Sequence, residues 1–140
     1  MKITICGSTA FVKEMKEVKE QLVKLGHDVL VPLSVERGED KSFWNDLRQN
    51  DFEKFSSAKG ERMIGHFNKV KSSDAILVLN YDKAGKKNYI GGNTFLEMAI
   101  AFDNRKKIFL LNETPMDSTY FEEMASMQPI VINGDLTKIV

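Results

Sequence analysis

The chain has one cysteine, Cys6, two histidines and one tryptophan, and its charges cancel, with 20 lysines and arginines against 20 aspartates and glutamates. A single thiol excludes an internal disulfide and suits a reducing compartment. His27 and His66 lie far apart and no Cys/His zinc spacing occurs, so no metal is expected. Balanced charge argues against a nucleic-acid polymer as partner, since such binders show a basic excess or stripe. No apolar run approaches a membrane span, and Met1-Lys2 leads straight into a short apolar strand and then a charged helix, so no signal peptide is expected. Neither a G-x-G-x-x-G after the first apolar segment nor a G-x-x-x-x-G-K-[ST] is present, so dinucleotide and P-loop readings lack their fingerprints.

With 42% apolar and 29% charged residues, the chain has the composition of an ordinary globular protein, able to fold without staples. Residues 1–140 are expected to form one domain, cytoplasmic in location and free of membrane contact.

The stretch from Gly91 to Ala101 organises the reading. Gly91 and Gly92 permit a sharp turn and close approach of a ligand. Asn93 or Thr94 can cap a helix, and Glu97 then falls in its first turn, where the helix dipole favours an ionised carboxylate. The basic loop before it carries Lys86, Lys87, Asn88 and Tyr89. A ligand site is one reading of this segment. A capping box between Thr94 and Glu97, with no chemistry, is the other.

Ile3 to Cys6 reads as a strand ending at Gly7-Ser8. Phe11, Met15, Val18, Leu22 and Leu25 fall at helical spacing and predict an amphipathic helix closed by Gly26. Asp28 to Leu33 predicts a second strand. Ser34 to Gly60 is irregular, with one or two helices between Asp40 and Phe55. Its Phe43, Trp44, Phe52 and Phe55 fit core anchors, a base-stacking lid or a subunit contact. Glu61 to Ser73 predicts a helix and Asp74 to Asn80 a central strand. Thr94 to Asn104 predicts a helix, Lys107 to Leu111 a strand, Phe121 to Met127 a short helix and Pro129 to Ile132 an edge strand.

Strands alternating with helices predict an α/β, flavodoxin/Rossmann-like three-layer sandwich, its five parallel strands ordered 2-1-3-4-5. Ligands in such sheets sit beyond the strand ends where the order reverses. That brings Gly7-Ser8-Thr9 and the loop ending at Asn93 to one edge. Gly7-Ser8-Thr9 could cradle a phosphate, but no flanking aromatic for a flavin is evident and no cofactor is expected. Asp74 opens strand 3 rather than closing it, which argues against a phospho-receiver. Cys6, at a strand end, reads as buried and inert.

Ile5-Cys6-Gly7-Ser8, Ser73-Asp74-Ala75-Ile76-Leu77-Val78, and Gly92-Asn93-Thr94-Phe95-Leu96-Glu97-Met98-Ala99-Ile100-Ala101 followed by Lys106-Lys107-Ile108 resemble the nucleoside 2-deoxyribosyltransferase superfamily. That superfamily includes the 2′-deoxynucleoside 5′-phosphate N-hydrolases. The resemblance runs, with gaps, from strand 1 to strand 4. It implies that Glu97 is the nucleophile attacking C1′ of the sugar, that the ligand is a nucleoside or nucleotide, and that the protein forms a homodimer or higher homo-oligomer. The chain departs from the pattern where the family has a catalytic aspartate (His66 here), a first-strand tyrosine (Thr4), an arginine after Gly-Ser (none in Thr9-Ala10-Phe11) and two glycines (Asn93 and Ala99).

Cleavage of an N-glycosidic bond with retention needs an ionised carboxylate under C1′ and a group to protonate or polarise the leaving base. Glu97 and His66 are the candidates, His66 as general acid because its ordinary pKa lies near neutrality. Gly7, Ser8, Thr9, Asn88, Tyr89, Gly91, Gly92, Asn93 and Thr94 are the candidate substrate contacts, with Lys86 and Lys87 attracting a phosphate. A nucleotide-binding protein without turnover, and an interaction module carried by the 43–55 insertion, are the competing readings.

Overall fold

The computed structural model describes Met1–Val140. Strand β1 (Lys2–Cys6) lies between β2 (Asp28–Leu30) and β3 (Ala75–Val78), and β4 (Lys107–Leu110) and β5 (Ile130–Val131) extend the sheet beyond β3. All four pairings are parallel and the order is β2-β1-β3-β4-β5, the expected one. Parallel neighbours need crossovers. These are α1 (Val12–Lys24), the group α2 (Leu33–Arg37), α3 (Lys41–Asn50) and α4 (Phe52–Ser72), then α5 (Gly92–Asp103) and α6 (Phe121–Ser126). Short 3-10 turns cover Thr9–Phe11 and Leu136–Lys138.

Side chains alternate across a strand, so one sheet supplies two cores. Ile3, Ile5, Leu77 and Phe109 point to one face and pack with Met15, Val18 and Leu22 of α1 and with Ile132 and Ile139 near the chain's end. Cys6, Ile76, Val78 and Leu110 point to the other, under Val70 of α4, Met98 and Ala101 of α5 and Met124 of α6. Helices on both faces make the three-layer sandwich. No helix is long and apolar enough to cross a membrane.

The middle of the chain departs from expectation. The second strand stops at Leu30, because Pro32 starts α2. The stretch 52–60 is helical and joins the expected 61–73 helix in a single α4 of 21 residues. Asp51 caps it, its side chain accepting from the Lys54 amide at 3.0 Å, and Asp40 caps α3 through the Phe43 amide at 3.0 Å. Gly60, read as a boundary, sits inside α4, where a glycine costs roughly 1 kcal/mol. Trp44 and Phe55 are buried and meet edge to face at 6.0 Å, while Phe43 and Phe52 remain exposed. Of the residues expected on the buried face of α1, Leu25 is exposed, being the residue that ends the helix.

Candidate active site

Gly7 and Ser8 leave the end of β1, and the chain leaving β3 returns through Tyr89 to Thr94 at the same edge of the sheet. Together with α2 and one face of α4 they enclose a cleft of about 590 Å³. Topology brings these separate loops together, as ligand sites form where strand order reverses.

Each wall has a local cause. The Ser8 side chain accepts from the Ala10 amide at 3.2 Å and starts the turn into α1. Lys83 reaches back to donate to Ser8 Oγ at 3.0 Å, its ammonium 4.7 Å from the centre of the Tyr89 ring. Partial burial lowers the Lys83 pKa, with the neighbouring Lys41 and Lys86 charges adding to it. The end of the Tyr89 side chain packs against Gly91, where an added Cβ would come within 2.8 Å of the phenol oxygen. Gly7 is equally constrained: a Cβ there would meet Met15 Cε at 2.9 Å and the Leu79 carbonyl at 3.3 Å.

At the closed end three side chains from three elements converge: Cys6 of β1, His66 of α4 and Glu97 of α5, all buried. His66 Nε2 lies 3.1 Å from the Ile5 carbonyl, 3.6 Å from Cys6 Sγ and 3.9 Å from Glu97 Oε1. A carbonyl only accepts, so Nε2 carries the proton. Nδ1 is buried without a partner. Burial, with the Lys69 charge second, lowers the His66 pKa to about 4. Burial raises Glu97 to about 8. Burial, then the nearby Glu97, pushes the Cys6 thiol well above its ordinary range.

These values correct two expectations. Helix α5 begins at Gly92 with Gly91 as its cap and no side-chain cap bond, so the Thr94/Glu97 capping box does not form. Glu97 therefore stands in the second turn, beyond most of the dipole's reach. Desolvation dominates there, and the carboxyl is protonated near neutrality rather than ionised. His66 is neutral for the same reason, so it cannot serve as a charged acid in the resting site.

The three donor atoms lie within 4.8 Å of one another, close enough to invite a metal. The fit is poor. Nε2 is already committed to the Ile5 carbonyl, and a metal-bound imidazole ordinarily donates its other N–H to a partner, which Nδ1 lacks here.

The cleft lining includes Gly7, Ser8, Thr9, Tyr89, Gly91 and Gly92, and with them Asn93, Thr94, His66 and Glu97. Asn88 is outside it. Its backbone adopts φ 53° and its amide donates to Asp82 Oδ1 at 2.9 Å, a turn-forming role. Lys86 and Lys87 are exposed and off the lining, whereas Lys83 lines the cleft. The far wall includes Trp44 and Phe55, for which a base-stacking lid was one expectation, and Arg48, Lys59 and Arg62, which the sequence reading missed. Their signal was there: Phe55, Lys59, Arg62, His66 and Lys69 share one helical stripe, hidden by taking Gly60 as a break.

No protein-family model matches the chain, and no curated protein matches it. Among solved structures it is similar to the CMP N-glycosidase BcmB of Clostridium botulinum, at 13% identity and a TM-score of 0.49, over 95% of this chain and 89% of that one.

Proposed function

We propose that the cleft binds a nucleoside or nucleotide and cleaves its N-glycosidic bond, or transfers its sugar, with Glu97 as nucleophile. The carrying observation is the carboxyl itself. Glu97 is 3% exposed, has no lysine or arginine partner to neutralise it, and lines a cleft flanked by glycine-bearing loops. Burying a carboxyl this way is unfavourable, and perturbed groups of this kind concentrate at functional sites.

In the reaction the Glu97 carboxylate forms a bond to C1′ as the C1′–N bond breaks, and the base leaves with the electron pair. Water, or a second base, then attacks C1′ and releases the carboxylate. Glu97 must lose its proton before it attacks, and the departing base gains one, so the proton count balances. His66 takes part as a neutral imidazole, fixed by the Ile5 carbonyl. Ser8, Thr9, Tyr89 and the Gly91–Thr94 turn hold the sugar and its substituents, and Lys83 attracts a phosphate. A homodimer belongs to the same proposal. Ile64 of α4 and Leu96 of α5 are exposed apolar residues on two helices that pack together, and solution molecular mass tests it.

One feature of the site favours a second reading, a binding protein without turnover: burial disfavours the charged form of both Glu97 and His66. Chromatography separates the two. The protein is incubated with the common ribo- and deoxyribonucleosides and their 5′-monophosphates, with Glu97→Gln in parallel. Release of one base, lost in the variant, supports cleavage at Glu97. Binding without product in any arm supports the second reading. Equal release by the variant removes Glu97 from the mechanism.

A further inference from the structure

The cleft is longer than the chemistry at Glu97 requires. Its α4 wall carries Phe55, Lys59, Arg62, His66 and Lys69. At about 1.5 Å per residue, Phe55 stands roughly 16 Å along the helix axis from His66. A nucleoside seated with C1′ at Glu97 leaves the Phe55 end of this wall untouched.

The charges along the wall are not equivalent. Arg62 is held by Glu39 through both guanidinium nitrogens. Lys69 donates to the Val31 carbonyl at 2.8 Å and faces Glu36 at 3.9 Å. Arg48 and Lys59 have no carboxylate partner. Both instead lie over the Phe55 ring, at 4.9 and 5.7 Å from its centre, and Arg48 bonds only the Asn45 amide oxygen at 3.1 Å. Phe55 is itself buried and fixed against Trp44. Two cations, from α3 and α4, thus each lie within 5.7 Å of the centre of one anchored ring, at the end of the cleft away from Glu97. Glu61 is the one carboxylate on that part of the wall.

Unneutralised cations so placed suit an anion with several oxygens, and a guanidinium suits phosphate in particular. Lys83 and Ser8 form a separate polar contact near the β1 end. We propose that the cleft takes a nucleotide carrying a diphosphate, with the phosphate remote from the sugar held by Arg48 and Lys59. The proposal rests on the nucleotide reading above and extends it, since a monophosphate leaves these two side chains without a ligand.

The test is calorimetric titration of the protein with each common nucleoside, its 5′-monophosphate, its 5′-diphosphate and dinucleotides joined through a diphosphate, at one salt concentration. Arg48→Ala/Lys59→Ala is titrated in parallel. Both residues are exposed, so the variant is expected to keep its melting temperature. The expected result is a diphosphate affinity at least about tenfold above the monophosphate, lost in the double variant, with monophosphate affinity unchanged. The free diphosphate and dinucleotide arms show whether the second phosphate is terminal or a linker. Equal affinity for mono- and diphosphate, or a gain that survives the double variant, overturns the proposal while leaving nucleotide binding intact. Absence of binding in every arm overturns the nucleotide reading and this extension together.

Discussion

His66 Nε2 stands 3.9 Å from Glu97 Oε1, yet the pair is neutral rather than an ion pair. Burial acts on the two groups in opposite directions, holding the imidazole at about 4 and the carboxyl at about 8. Between those values the neutral form of each group is favoured.

This sets how stability depends on pH. A raised carboxyl pKa means that the unfolded chain loses its proton first, so stability from Glu97 is complete below about pH 4.5 and is lost as pH rises to about 8. The depressed His66 works the other way, its contribution being present above about pH 6.5 and lost as pH falls to about 4. From pH 6.5 to 8 Glu97 dominates, the last of the His66 contribution offsetting it slightly, and stability is expected to fall by about 1 kcal/mol. Glu97→Gln removes the ionisation and should flatten that window. Urea denaturation at the two pH values checks it, and an equal slope in the variant would mean that Glu97 is not the group responsible.

Turnover should show the same proton. Attack on C1′ needs the ionised carboxyl, so base release should climb about tenfold per pH unit up to about pH 8 and then level. A profile already flat from pH 6 would show that ligand binding ionises Glu97 or that another group attacks.

Gly7 and Gly91 are expected to differ when replaced by alanine. At Gly7 the new methyl meets a backbone carbonyl at 3.3 Å as well as Met15, which cannot yield freely, so Gly7→Ala should cost about 1–3 kcal/mol of stability. At Gly91 the obstacle is the end of the Tyr89 side chain, and the backbone there has φ −81°, open to any residue. Gly91→Ala should fold normally and weaken ligand binding by displacing Tyr89. Unchanged affinity would show that Tyr89 does not touch the ligand.

The sheet was legible because short apolar runs at Ile3–Cys6, Ala75–Val78 and Lys107–Leu110, continuous where both faces of the sheet are covered, are set between helical patterns. The edge where the loops meet followed from strand order alone. The ionisation of Glu97 was not legible. It depends on where α5 starts, and the choice between Gly91 and Thr94 as cap moves the carboxyl from the dipole's reach into desolvation. The cations of the far wall were missed because a helical stripe of charged residues reads like a solvated face until a neighbouring helix closes over it. Trp44 and Arg48 of α3 supply that closure.

Trp44 gives the last expectation, because its place separates a core anchor from a subunit contact. The indole N–H donates to Ser34 Oγ at 3.1 Å, its ring meets Phe55, and the Arg62 guanidinium lies 5.2 Å over it. It is buried within its own chain. Trp44→Ala should therefore cost about 3–5 kcal/mol. Trp44→Phe should cost only about 1 kcal/mol, since Arg62 also donates to Ser34 Oγ. Phe52→Ala, at an exposed position, should change monomer stability by less than about 0.5 kcal/mol. Urea midpoints measured at two protein concentrations check all three. A Phe52→Ala loss as large as that of Trp44→Ala, and growing with dilution, would move the aromatic cluster from the core to an interface between copies of the chain.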